Sequence, residues 1–177
     1  MFKHVPNILT IIRFLLIPFI VFFIFQEQYI MAFVFFTISG ITDVADGFIA
    51  RKFNFITNFG KLMDPLADKL LVSSALIALI QPNRIAAWIV IVIIAREFII
   101  SGFRLIAADN GIVIAANIFG KIKTVTQMFM IIILVANIPL APLQIVGEIL
   151  KWVALVMTIL SLVIYIYQNS AVLKEQN

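Results

Sequence analysis

Long apolar runs separated by short polar punctuation dominate the 177 residues. A helix rises about 1.5 Å per residue, so about 20 apolar residues cross the hydrocarbon core of a bilayer. Six such runs follow, over 8–25, 30–50, 60–80, 85–107, 118–138 and 146–167. The breaks fall at 26–28, 52–59, 81–84, 109–111 and 139–142, and none is long enough for a second domain. Residues 1–177 are therefore read as a single all-α integral membrane domain of six transmembrane helices. The first run has the apolarity of a signal peptide, but Arg13 lies inside it, no small-residue cleavage pattern follows and five more runs come after. It is read as retained.

Composition agrees: 63% of residues are apolar against 12% charged, which excludes a water-soluble globule and a disordered chain. With no cysteine, thiolate nucleophiles, disulfides and Cys-based metal sites are excluded. The 13 Lys and Arg lie mostly at the ends of apolar runs, where they suggest topology and anionic lipid and not nucleic acid. Six spans with the N-terminus inside place eleven cations towards the cytoplasm and leave only Arg84 and Lys151 outside. That asymmetry predicts both termini in the cytoplasm. His4 is read as a surface residue, and Phe33, Phe35 and Phe36 as lipid-facing or packing surface.

Four of the nine acids fall within one 26-residue window, at Asp43, Asp46, Asp64 and Asp68. Positions 43, 46, 47 and 50 share one helix face, and 64 and 68 share another, so a helical hairpin can bring the acids together. Leu70 to Ile80 is too short to cross alone, so that helix must begin near Gly60 and carry its acids inside. Each acid at mid-membrane costs about 2.5–3.5 kcal/mol, and two carboxylates 4 Å apart repel by roughly 4 kcal/mol at an effective dielectric near 20. Pairing with Arg51, Lys52, Lys61 and Lys69 is the plain alternative, but these lie at the rim, and Lys69 points about 100° away from Asp68. Oxygen-only ligands select hard cations, and four carboxylates on two helices suit two Mg²⁺ or Mn²⁺ ions in a polar cavity open to the cytoplasmic side. Pro65 lies between two of the acids and belongs either to the first helical turn or to a kink.

The pattern D-x-x-D-G-x-x-A-R-x8-G-x-x-x-D-x-x-x-D from Asp43 to Asp68 resembles the signature of the CDP-alcohol phosphotransferases, with all its fixed positions present. The resemblance implies a six-helix fold, metal binding by Asp43, Asp46 and Asp64, and Asp68 as a further ligand or the base. It also implies a CDP site lined by Gly47, Ala50, Arg51 and Gly60. Small residues would let a nucleotide approach the backbone, and Arg51 offers a planar fork for phosphate. Taken singly, the small residues read as close helix packing and Arg51 as rim snorkelling. The segment Pro6 to Arg13 resembles the family's first helix, making Asn7 and Thr10 candidate donor contacts or, more simply, a cap or turn.

A second block, Ala95 to Arg104 followed by Gly120 to Gln127, is similar to bacterial phosphatidylglycerophosphate synthases. Arg96, Arg104, Lys121 and Lys123 are then candidate ligands for an acceptor phosphate. Arg96 lies well inside its span and needs a counter-charge, whereas Glu97 is adjacent in sequence and is expected to point elsewhere. Lys121 and Lys123 are about 200° apart on a helix, so one at most should share a site with Arg96. The resemblance implies transfer of a phosphatidyl group from CDP-diacylglycerol to glycerol 3-phosphate, releasing CMP, in a bacterial cell membrane, by a homodimer. Inositol phosphate or serine as acceptor, and a divalent-cation transporter from another class, are the rival readings.

Overall fold

The computed structural model describes the backbone of residues 5–52, 58–112, 114 and 118–169, and the side chains of 7–43, 60, 62–112, 114 and 118–169. Six helices follow the predicted runs: α1 (Val5–Phe25), α2 (Tyr29–Lys52), α3 (Asn58–Ala78), α4 (Ala87–Asp109), α5 (Ile118–Ala136) and α6 (Ala141–Gln168). The last helix starts earlier than the apolar run because Pro142 sits in its first turn, where a missing N–H costs nothing. Pro65 lies inside α3, beyond its first turn, which decides between the two placements.

Three segments, Asn7–Phe25, Ile118–Ala136 and Ala141–Gln168, are long and apolar enough to cross a membrane on their own. Each of α2, α3 and α4 instead carries several charged residues, including the motif acids, Arg96 and Glu97. Apolar side chains such as Leu15, Phe19, Phe22, Ile91, Phe98 and Ile159 point outward. The chain is a membrane protein whose apolar surface suits lipid.

Two compact units divide the chain: residues 1–84 with 131–139, and residues 85–130 with 140–177. In the first, α1 packs against both α2 and α3. Its buried positions, Thr10, Arg13, Ile17, Ile20 and Ile24, recur every three or four residues and form one seam. The seam of α2 runs through Ala32, Phe36 and Ser39, and that of α3 through Gly60, Ala67, Leu71 and Ala75. Asp43 continues the α2 seam by one turn, and Asp64 occupies the α3 position between Gly60 and Ala67. Phe35 faces Phe19 and Phe23 with ring centroids 6.1 and 5.2 Å away, which is the antiparallel α1–α2 pairing a three-residue connection demands.

In the second unit α4 packs against α6. The α4 seam reads Ile89, Ile93, Arg96, Ile100, Phe103 and Ala107. Trp88 lies 6.0 Å from Trp152 near one end, and Phe103 lies edge-on to Tyr165 at 5.7 Å near the other, so the two helices run parallel.

Helix α4 ends where Gly111 takes φ +72° and the N–H of Ile112 bonds back to the carbonyl of Ala107 at 2.8 Å. A Cβ at Gly111 would meet open space, so substitution there costs only backbone strain. Gly111→Ala should lower stability by about 1 kcal/mol, read as a small drop in the thermal midpoint of the detergent-solubilised protein.

Candidate functional site

Helix α1 holds two acids of the first unit, Asp43 and Asp64. Thr10 and Arg13 are three residues apart, on one face, and both are fully buried. The Thr10 hydroxyl donates to Asp64 Oδ1 at 2.6 Å, and Arg13 Nη1 lies 2.7 Å from Asp43 Oδ1. One helix thus grips a carboxylate from each of two others. The Arg13 guanidinium is buried and gains a full counter-charge, while the Asp43 side chain stays 41% exposed. In each acid one oxygen is held, and Oδ2 makes no hydrogen bond to a described residue.

That arrangement fits a hard cation. Metal-binding carboxylates are usually oriented by an outer partner on one oxygen while the other faces the ion, and oxygen donors match Mg²⁺ or Mn²⁺ chemistry. Asp68 lies one turn beyond Asp64, half-buried. Asp46, Gly47, Ala50 and Arg51 lie on α2, but their side chains fall outside the described residues, and Lys61 does likewise on α3. Among the described residues no three acids or histidines are close enough to hold one ion. Asn7 is half-buried one turn before Thr10, and Gly60 is buried one turn before Asp64.

Cations cluster in the second unit. Arg96 Nε donates to Ser161 Oγ at 3.2 Å, and its Nη1 donates to Glu97 Oε1 at 3.0 Å. Lys123 on α5 donates to the same Glu97 oxygen. Both cations are over 90% buried. Glu97 therefore does not point away from Arg96 as its place in the sequence suggested. Neighbouring Cβ atoms diverge by about 100°, but the long guanidinium stem reaches back across that angle.

Of the two candidate lysines, Lys123 is buried and Lys121 exposed, as their angular separation requires. Arg104 is exposed and is not joined to Arg96 or Lys123. Its Nε donates to Tyr165 Oη at 3.3 Å, and its guanidinium carbon lies 5.7 Å from the ring centroid.

Sequence reasoning read Arg13 only as a cytoplasmic charge and read α6 only as an apolar span. An arginine inside an apolar run was the available signal for the first, because it must find an acid. For the second there was none, because Ser161 and Tyr165 carry no charge and share α6 with other polar residues such as Glu148, Lys151 and Thr158.

A family model described as CDP-alcohol phosphatidyltransferase matches residues 3–160. The chain belongs to the CDP-alcohol phosphatidyltransferase family. Among relatives of this family, the CDP-diacylglycerol–glycerol-3-phosphate 3-phosphatidyltransferase of Bacillus subtilis (strain 168) is 47% identical over 144 residues, covering 80% of this chain and 75% of its own. The protein of that name from Rickettsia felis is 37% identical over 165 residues, covering 90% and 91%. That from Shigella flexneri serotype 5b is 35% identical over 181 aligned residues, covering 98% of each chain. The family model spans both the acidic and the cationic blocks.

Breaking the α1 grip should be measurable. Thr10→Val removes a hydrogen bond to a charged oxygen and should cost about 1.5–3 kcal/mol. Arg13→Met leaves Asp43 without its counter-charge, and since that carboxylate is partly hydrated the loss should fall near or below the roughly 3–5 kcal/mol seen for fully buried pairs. Thermal midpoints in one detergent would read both, and an unchanged midpoint for Arg13→Met would refute the pairing.

Proposed function

We propose that this protein transfers the phosphatidyl group of CDP-diacylglycerol to glycerol 3-phosphate, giving phosphatidylglycerophosphate and CMP. The observation that carries the acceptor is the pair of buried cations, Arg96 and Lys123, that meet at Glu97 Oε1. Two cations brought together inside the helices suit a phosphomonoester, which can take a charge-assisted contact from each, better than serine or an uncharged alcohol. The names of the relatives support the same substrates. A divalent-cation transporter has no use for such a cationic site, and family membership argues against it.

In this reading Asp43, Asp46, Asp64 and Asp68 hold two divalent cations, Mg²⁺ or Mn²⁺, which when bound supply charge neutralisation to the pyrophosphate of the donor. Asp68 takes the proton of the primary hydroxyl of glycerol 3-phosphate. The freed oxygen attacks the phosphorus that carries diacylglycerol, and the bond from that phosphorus to CMP breaks. Arg13 and Thr10 keep Asp43 and Asp64 turned so that one oxygen of each stays available. Asn7, Gly47, Ala50, Arg51 and Gly60 line the CDP site. Arg96, Lys123 and Arg104 receive the acceptor phosphate, with Arg104 swinging from Tyr165, and Lys121 serves as rim charge.

The acyl chains of the donor remain in lipid while the acceptor arrives from water. Acids and cations at membrane depth meet both needs. The protein sits as a multi-pass span of the bacterial cytoplasmic membrane with both termini inside, and works as a homodimer, as the resemblance implies.

The direct test is CMP release by the detergent-solubilised protein from CDP-diacylglycerol with glycerol 3-phosphate, inositol phosphate or serine, with and without Mg²⁺ or Mn²⁺. Turnover with glycerol 3-phosphate alone, abolished by chelation, is expected. Asp68→Asn should lower kcat by about 10²–10⁴, the range for loss of a general base, and wild-type turnover at saturating metal would rule that role out. Arg96→Ala should raise KM for glycerol 3-phosphate at least tenfold, as expected for one lost charge-assisted contact of about 1.4 kcal/mol or more.

A further inference from the structure

Two cations buried side by side repel, and each is costly in an apolar surrounding. Arg96 and Lys123 come from different helices, α4 and α5, and both meet at Glu97 Oε1. The backbone of Glu97 is fixed as well, since its carbonyl accepts the Ser101 hydroxyl. Arg96 is steadied from the other side by Ser161, whose own hydroxyl donates to the Thr158 carbonyl at 3.0 Å. With Nε on Ser161 and Nη1 on Glu97, Arg96 Nη2 makes no hydrogen bond to a described residue. The guanidinium is thus anchored through Nε on one side and Nη1 on the other, and Nη2 has its protons to offer.

We propose that Glu97 is a positioning residue of the acceptor site, clasping Arg96 and Lys123 so that one phosphate meets both. This rests on the reading of those two cations as ligands of glycerol 3-phosphate. Glu97 does not touch the reacting atoms. Its carboxylate lets two like charges stand together, because both donate to the same oxygen. Without it, the contact that joins Lys123 to Arg96 is lost and the incoming phosphate must do that joining itself, which weakens binding without altering the chemical step.

The test is steady-state CMP release by the full-length protein in detergent, comparing Glu97→Gln, Glu97→Asp and Arg96→Ala with each substrate varied in turn. Glu97→Gln should raise KM for glycerol 3-phosphate about tenfold or more, the lower bound for loss of a buried charge partner, while kcat and KM for CDP-diacylglycerol change by less than about threefold. Glu97→Asp keeps the charge but withdraws it by one methylene, and should give an intermediate rise. It carries the test alone if Glu97→Gln does not fold. The inference is overturned if Arg96→Ala raises that KM and the Glu97 variants do not, or if they raise the KM of both substrates in parallel. Should Arg96→Ala also leave it unchanged, the acceptor assignment itself fails and the clasp falls with it.

Discussion

A guanidinium in the middle of an apolar helix seam constrains everything packed around it. Arg13 occupies a position that Ile17, Ile20 and Ile24 repeat further along α1, so it is buried by register and not by choice of surroundings. Only a carboxylate on a neighbouring seam can match it, and Asp43 is the next seam position of α2 after Ser39. One turn away Thr10 meets Asp64 in the seam of α3. The seams of α1, α2 and α3 are apolar along most of their length and become polar at the same end. Among the described residues the outward faces of these helices are largely apolar.

The second unit follows the same rule with opposite sign. Arg96 takes a seam position of α4 between Ile93 and Ile100, and Lys123 is followed on α5 by buried Gln127 and Met130 at helical spacing. Here cations outnumber acids: Arg96, Lys123 and Arg104 against Glu97. In the first unit the described motif acids Asp43, Asp64 and Asp68 stand with the cations Arg13 and Lys69. Each unit thus sets charged residues on helix seams, where they face other helices.

The six helices were legible because the bilayer imposes a length and polar breaks mark the ends. The motif acids were legible because charge at membrane depth is conspicuous by its cost. Partners were harder to see. Arg13 was visible as a charge, but its match to Asp43 depends on which seam faces which, a tertiary fact that periodicity within each helix does not contain. Angular spacing correctly separated Lys121 from Lys123, yet the same rule misplaced Glu97, because it describes Cβ directions and not the reach of an arginine. Ser161 and Tyr165 carry no charge, so nothing in α6 marked them until Arg96 and Arg104 were seen resting on them.

Arginine at position 13 also answers a conflict built into such a site. A carboxylate on a seam inside the membrane is costly unless a partner of lasting opposite charge faces it. A lysine there could lose its proton in apolar surroundings and cease to compensate, whereas a guanidinium stays charged at any accessible pH. Its single charge offsets one of the two carboxylates that α1 holds, and Thr10 adds the complementary device, a hydroxyl that orients Asp64 without adding charge.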